Sequence, residues 1–184
     1  MKKFIKILSL MALVLTLGLS LISCGSSGFY KNYHDAGADI DKDNCFEVIK
    51  VKKAKDMITN KESFVLFLGS YKIDSCVNGV TSIQNEVEYV GYEGTILFID
   101  ITSTLKSASD ITDTAKTLGM KETSLAEVQT LICLIYKNGN LIVNSNDDSL
   151  SGDNSAKFVI GATFSFKAVV DFINETEEYQ RNVD

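Results

Sequence analysis

The predicted fold is decided by one stretch near the middle of the chain, SFVLFLGSYKIDSC at residues 63–76. Its first part, Ser63–Leu68, is a continuous apolar run, as expected for a central β-strand that is covered on both faces. The Gly-Ser pair that follows ends the strand. Asp74 or Ser75 can then cap a helix running to about Val90, because apolar residues recur there at helical spacing. A buried strand followed directly by an amphipathic helix is the building unit of an α/β protein.

The segments on either side continue this alternation. Further strands are predicted at Phe46–Val51, Thr95–Thr102, Thr130–Tyr136 and Leu141–Asn144. Further helices are predicted at Lys52–Asn60, Ala108–Leu118 and from Thr163 to about Glu178. The Asn138-Gly139 pair supplies the positive φ angles of a type I′ hairpin turn. Parallel strands joined by helices, followed by one hairpin, predict an α/β fold with a mixed central sheet and helices on both faces.

The N-terminus has the features of a bacterial export signal. Lys2, Lys3 and Lys6 precede an apolar run over residues 7–19, which is too short to favour a membrane-spanning helix. The run ends in LISCG at residues 21–25, which resembles the lipobox of bacterial lipoproteins. That resemblance implies that the thiol of Cys24 takes a diacylglycerol, with palmitate-type acyl chains, and that the signal is cut just before it. A plain signal peptide with a chance cysteine and an uncleaved membrane anchor are the alternatives.

This interpretation predicts three regions and a location. Residues 1–23 are a lipoprotein signal peptide, residues 24–45 the lipidated cysteine with a flexible, loosely ordered tether, and residues 46–184 the folded domain. Removing residues 1–23 leaves enough chain for one domain. The acyl chains would hold the protein on the extracytoplasmic face of the cell membrane, as part of the cell envelope.

Composition excludes several classes of function. The chain of 184 residues carries a net charge of −6, which argues against a nucleic-acid-binding surface. The chain has one histidine, His34, which excludes a metal site built on two histidines and argues against a Ser-His-Asp triad. No cofactor or metal is predicted.

Three short motifs carry a resemblance to a known family. The stretch FLGSYKIDSC at residues 67–76 lies between the central strand and its helix, the IDI strand is at residues 99–101, and VQTL at 128–131 leads into KNG at 137–139. In this order, with Gly161 before a last helix, they resemble thioredoxin-like proteins, including exported ones associated with bacteriocin transport. The resemblance covers roughly residues 46–178 and implies a thioredoxin-like fold.

The departures from that family concern its chemistry. Ile73 stands where the family has its attacking cysteine, and Cys76 matches only the second, resolving cysteine. Gln129 stands at the cis-proline position, where a trans peptide bond is expected because a non-proline cis bond costs about 2.5–4 kcal/mol. Phe67 replaces the buried acid. The leading prediction is therefore a non-catalytic binding or accessory module with a degenerate active site.

The remaining cysteines leave an alternative open. Cys76 is a candidate catalytic thiol, by itself or paired with Cys45, in a thiol-disulfide exchange protein that helps exported proteins to fold or be repaired. Cys133 is predicted to be a buried free cysteine that packs as a small hydrophobe. The region that corresponds to the family's active site is predicted to form a vestigial groove. Two hypotheses are open for it: the groove binds an exported protein or peptide, or it is a decayed loop without a ligand. We call its members the groove residues: Tyr71, Lys72, Ile73, Asp74, Ser75, Gln129 and Thr130.

Overall fold

The computed structural model of the chain describes residues 26–90, 95–146, 159–160 and 163–164, with side chains described in 28–89 and 95–146. The helices are α1 Ser26–Asp35, α2 Val51–Thr59, α3 Asp74–Val90, α4 Ala108–Leu118 and α5 Glu122–Ala126, with a 3₁₀ turn at Thr104–Lys106. The strands are β1 Phe46–Val48, β2 Phe64–Gly69, β3 Ile96–Asp100, β4 Ile132–Lys137, β5 Asn140–Asn144, β6 Val159–Ile160 and β7 Thr163–Phe164.

Five of these strands form one mixed sheet in the order β1-β3-β2-β4-β5. Strands β1, β3 and β2 are parallel, with Phe67 opposite Phe98 and Gly69 opposite Asp100. Strand β4 runs antiparallel to β2, and β5 runs antiparallel to β4. The predicted α/β fold with a mixed central sheet is confirmed.

The hairpin between β4 and β5 turns as the sequence predicts. Asn138 has a φ of 51° and Gly139 a φ of 75°, so both central residues are in the left-handed region that a type I′ turn needs. A side chain at Gly139 would also overlap the carbonyl oxygen of Ile58 at the end of α2. The turn is therefore packed closely against the segment that leads into β2.

Helices cover the sheet on both faces, and successive side chains of each strand point to opposite faces. On the face that we call the aromatic face, α1 and α3 pack on side chains from every strand of the sheet. Its buried residues include Phe29, Tyr33, Phe46, Phe67, Cys76, Val80, Ile83, Phe98, Cys133 and Val143. On the opposite, aliphatic face, α2, α4 and α5 pack on the other set. Its buried residues include Ala54, Met57, Leu66, Leu68, Ile99, Leu118, Leu125, Ile132, Leu134 and Tyr136.

The segment before β1 corrects the sequence analysis. Residues 29–44 were predicted to be loosely ordered, and a flexible tether was placed at residues 24–45, but a helix begins at Ser26. Phe29 and Tyr33 lie one helical turn apart and are buried on the aromatic face, where the Phe29 ring lies 5.0 Å from that of Phe98. Aromatic burial on this scale outweighs the polar residues between them. The ordered domain therefore begins well before residue 46.

The C-terminal prediction is corrected at one point. Thr163 and Phe164 pair with Val159 and Ile160 as a two-stranded antiparallel ladder, so the predicted helix does not begin at Thr163. The rest of that helix and residues 1–25, including Cys24, lie outside the described residues. Within the described part of the chain, no helix is both long enough and apolar enough to cross a membrane.

Candidate functional site

The candidate site lies where the parallel strands β2 and β3 end. Gly69 and Asp100 are the last residues of these strands and pair with each other. Just beyond them, the Ser70 and Thr102 hydroxyls are buried and share a hydrogen bond of 2.7 Å. The amide of Thr102 donates to Oδ1 of Asp100 at 2.9 Å. These bonds join the two loops that leave this edge of the sheet.

A tight turn links β2 to the start of α3. The amide of Lys72 donates to the Ser70 hydroxyl at 3.2 Å, and that of Ile73 donates to the Ser70 carbonyl at 3.1 Å. The amide of Cys76 then donates to the Ile73 carbonyl at 2.9 Å, and α3 begins at this bond. Ser70 thus anchors the whole turn, so the backbone beneath the groove residues is well defined.

The structure brings the two halves of the predicted groove together. The Ser75 hydroxyl donates a hydrogen bond to the backbone carbonyl of Gln129. No peptide bond in the described part of the chain is cis, so the bond before Gln129 is trans, as expected. Five groove residues are exposed and the other two, Tyr71 and Ile73, are half-buried. The exposed ones are Lys72, Asp74, Ser75, Gln129 and Thr130.

Leu131 holds the Gln129 segment against the rest of the site. Its side chain fills the space beside two glycines, Gly69 at the end of β2 and Gly79 in α3. A Cβ at Gly69 would overlap Leu131 Cδ2, and a Cβ at Gly79 would lie 2.7 Å from Leu131 Cδ1. The close approach of these three elements therefore depends on the absence of side chains at both glycines.

The candidate thiol is poorly placed for nucleophilic chemistry. Cys76 is fully buried, and burial raises the pKa of its thiol, although a hydrogen bond from the Ser70 backbone acts in the opposite direction. Because the thiolate is the reactive form, a raised pKa keeps Cys76 in its unreactive state at neutral pH. Ile73, one turn earlier, can neither ionise nor form a mixed disulfide. The start of α3 therefore presents no exposed thiol.

The three cysteines that the structure describes are all free thiols. The structure therefore shows no bond between Cys45 and Cys76, the pairing that the sequence left open. The amide of Cys45 donates to Oε1 of Gln84 at 3.2 Å, and Gln84 lies eight residues, or about 12 Å, along α3 from Cys76. A disulfide needs Cα atoms closer than about 7 Å. Burial also raises the pKa of the Cys45 thiol to about 12.

Cys133 behaves as the sequence analysis predicted. It is buried near the start of β4, and desolvation raises the pKa of its thiol well above the ordinary value. His34 is exposed, with its Nδ1 3.9 Å from Oδ1 of Asp35 and its ring 5.1 Å from that of Tyr30. Among the described residues, no three histidine, cysteine or acidic side chains are grouped as a metal site would require.

Tyr33 also lies in this region, although the sequence did not predict it. Its ring lies 6.1 Å from that of Tyr71, and its hydroxyl lies 3.4 Å from the place where a Cβ at Gly69 would stand. The hydroxyl is buried without a hydrogen-bond partner, and its pKa is raised first by burial and then by the charge of Asp100. The signal that could have revealed it is the spacing of four residues between Phe29 and Tyr33, which is typical of one helix face.

The sequence matches no model of a known protein family, and a search of curated proteins finds no match. The chemistry of the site must therefore be judged from its own residues.

Proposed function

We propose that this chain is a membrane-anchored, extracytoplasmic lipoprotein with one thioredoxin-like domain, which binds a protein or peptide partner and performs no thiol-disulfide exchange. The observation that carries the proposal is the state of the thiol at the start of α3. Cys76 is fully buried and its pKa is raised. Ile73 stands one turn before it, where the resemblance would require the attacking cysteine.

The thioredoxin-like assignment is supported by the order and direction of the strands. Three parallel strands joined by helices are followed by an antiparallel hairpin, and helices pack on both faces of the sheet. This is the arrangement that the resemblance implies. The stretch with the family's motif, residues 67–76, also spans the end of the central strand β2 and the beginning of α3.

The membrane anchor is supported by the N-terminal sequence. Three lysines, a short apolar run and the LISCG stretch occur in the order that lipoprotein export and lipidation need. Acyl chains on Cys24 would add about 0.8 kcal/mol of membrane affinity for each buried CH₂ group.

A binding role is supported by the way the groove residues are held. Exposed polar side chains stand on a backbone fixed by the Ser70–Thr102 and Ser75–Gln129 hydrogen bonds. A surface that is already ordered loses little conformational entropy when a partner binds. The mixed side chains, with one ammonium, one carboxylate and two hydroxyls, suit a peptide more than a small apolar ligand.

Site-specific photo-crosslinking in the producing cells tests this function. A photoreactive amino acid replaces Gln129 in one variant and Lys116 in the control, because Lys116 is exposed on α4, away from the groove. We expect a protein adduct from position 129 that is absent from position 116 and unchanged when Cys76→Ser is added. Adducts from both positions, or from neither, would contradict the binding role. An adduct that disappears with Cys76→Ser would favour thiol-disulfide exchange instead.

A further inference from the structure

We propose that the domain stands on the lipid bilayer with the amino ends of its parallel strands toward the membrane and the groove residues facing away from it. The contact side chain would be Tyr89. This inference rests on the proposed lipid anchor at Cys24 and adds to it an orientation and a contact surface.

The direction of α1 is the first argument. Phe29, near the start of α1, lies 5.1 Å from the ring of Phe46, the first residue of β1. Tyr33, one turn later, lies 6.1 Å from Tyr71, just beyond the end of β2. The helix therefore runs from the amino ends of the parallel strands toward their carboxyl ends. Its first residue, Ser26, belongs to the amino end of the sheet.

The distance from the anchor is the second argument. Cys24 precedes Ser26 by two residues, and two residues of chain span at most about 7 Å. Because Phe29 and Tyr33 fix α1 in the core, no long tether separates the lipidated residue from the domain. Ser26 must then lie within about 10 Å of the lipid headgroups, allowing for the width of a side chain, and Phe29 in the same helix packs on the first residue of β1. The groove lies at the other end of β2, about 20 Å farther away at the usual rise per residue of a strand.

The exposed surface at that end is the third argument. Helix α3 begins at the groove and ends at Val90, before β3 starts, so its last turn also lies at the amino end of the sheet. Cys45, just before β1, confirms this placement, because its amide bonds to Gln84 in the second half of α3. Tyr89 is 90% exposed and is the one large hydrophobic side chain so exposed in the described part of the chain. Tyrosine is a typical residue of the membrane interface, because its ring is apolar and its hydroxyl is polar.

The orientation has a consequence for the proposed function. A partner bound by the groove residues would be held about one domain length from the bilayer rather than against it. The groove would thus select partners in the extracytoplasmic space, and integral membrane proteins without a projecting segment would be out of reach.

Tryptophan fluorescence in brominated lipid vesicles tests the orientation. The chain has no tryptophan, so each single substitution introduces one fluorophore. The two variants are Tyr89→Trp and Ser103→Trp, since Ser103 is exposed just after β3, at the groove end. Each is produced as the full chain with its signal, purified in its lipidated form and reconstituted in phosphatidylcholine vesicles with or without bromine on the acyl chains. We expect a loss of fluorescence in brominated vesicles for Tyr89→Trp and no loss for Ser103→Trp.

Co-sedimentation with the vesicles separates the two ways in which this can fail. If the full chain carries no lipid and does not sediment with vesicles, the anchor itself is absent and the inference falls with it. If the chain sediments but Tyr89→Trp is not quenched, or Ser103→Trp is quenched as strongly, the orientation is wrong while the anchor stands. A Cys24→Ala variant, which should not sediment, provides the matched control.

Discussion

The two faces of the sheet bury comparable numbers of large side chains, but they differ in the hydrogen bonding of a buried tyrosine hydroxyl. On the aliphatic face the buried hydroxyl of Tyr136 donates to the carbonyl of Leu118 at 2.7 Å, at the end of α4. On the aromatic face the buried hydroxyl of Tyr33 has no partner. All three described thiols also contribute to the aromatic face. The buried tyrosine hydroxyl beneath the groove is therefore unpaired, whereas the buried tyrosine hydroxyl on the opposite face is paired.

The unpaired hydroxyl of Tyr33 lowers the stability of the fold next to the candidate site. An unpaired buried hydroxyl costs about 1–3 kcal/mol relative to a paired one. That cost falls next to Gly69 and Tyr71, at the candidate site, and not in the remote core. Such local violations of good packing are expected at functional positions, because the rest of the fold can tolerate them.

The largest expected effect tests whether α1 belongs to the core. Phe29→Ala should lower the free energy of unfolding by about 3–5 kcal/mol, as for other buried phenylalanines. The reason is the loss of ring contacts with Phe46 and Phe98. Lys31→Ala, on the exposed side of α1, should change it by less than about 0.5 kcal/mol. Urea denaturation measures both, and equal small effects would mean that the aromatic face is complete without α1.

The next effect concerns the end of β2. Gly69→Ala should destabilise the protein by about 1–3 kcal/mol, because the added methyl group would meet Leu131 and the Phe98 ring. Gly28→Ala is the matched control, since Gly28 is exposed within α1 with no atom near its Cβ position. That control should stabilise the protein by about 0.5–1 kcal/mol through helix propensity. A neutral Gly69→Ala would show that Leu131 does not close the site as described.

A smaller effect compares the two hydroxyls directly. Tyr136→Phe should cost about 1 kcal/mol, because it removes the hydrogen bond to Leu118. Tyr33→Phe should leave the free energy of unfolding unchanged or raise it, because the lost hydroxyl has no partner. Thermal or urea denaturation of the two variants gives the sign. Equal losses would show that Tyr33 has a partner in solution and would remove the contrast between the faces.

The last prediction is a pH dependence of stability that follows from the buried thiol of Cys45. Burial raises the pKa of Cys45 to about 12 from 9.0, so the unfolded chain loses this proton first as the pH rises. The stability that the neutral thiol contributes is complete below pH 9 and declines as the pH rises from there toward 12. Under reducing conditions, Cys45→Ser should therefore lose less stability than the natural chain between pH 9 and 10.5. Identical slopes for the two proteins would contradict a raised thiol pKa.

On each face of the sheet one helix was not predicted from the sequence: α5 Glu122–Ala126 on the aliphatic face and α1 on the aromatic face. The helix Ala108–Leu118 was predicted with the bounds that the structure gives it, and Ser107 and Gly119 cap its two ends there. Helix α1 was missed, because its polar residues and neighbouring glycines suggested a loop. Its stability comes from packing against Phe46 and Phe98, which lie far along the chain. Tertiary contacts of that kind cannot be predicted from the local composition of the helix.

The candidate site, too, could be predicted from the sequence only in part. The sequence placed Ile73, Cys76 and Gln129 near one another, and the Ser75–Gln129 hydrogen bond brings their segments together. It could not show that Cys76 is fully buried, nor that Cys45 lies beside Gln84 rather than beside Cys76. Burial and pairing depend on how α3 packs on the sheet, which no short motif encodes.

Insulin reduction is the most direct test of the proposal that this domain performs no thiol-disulfide exchange. Residues 25–184 and their Cys76→Ser variant are compared for their effect on the rate at which dithiothreitol reduces insulin. We predict no acceleration by either protein, because Cys76 is buried with a raised pKa and no second thiol lies one turn before it. Acceleration by the natural sequence that disappears with Cys76→Ser would contradict the account and identify Cys76 as a working nucleophile.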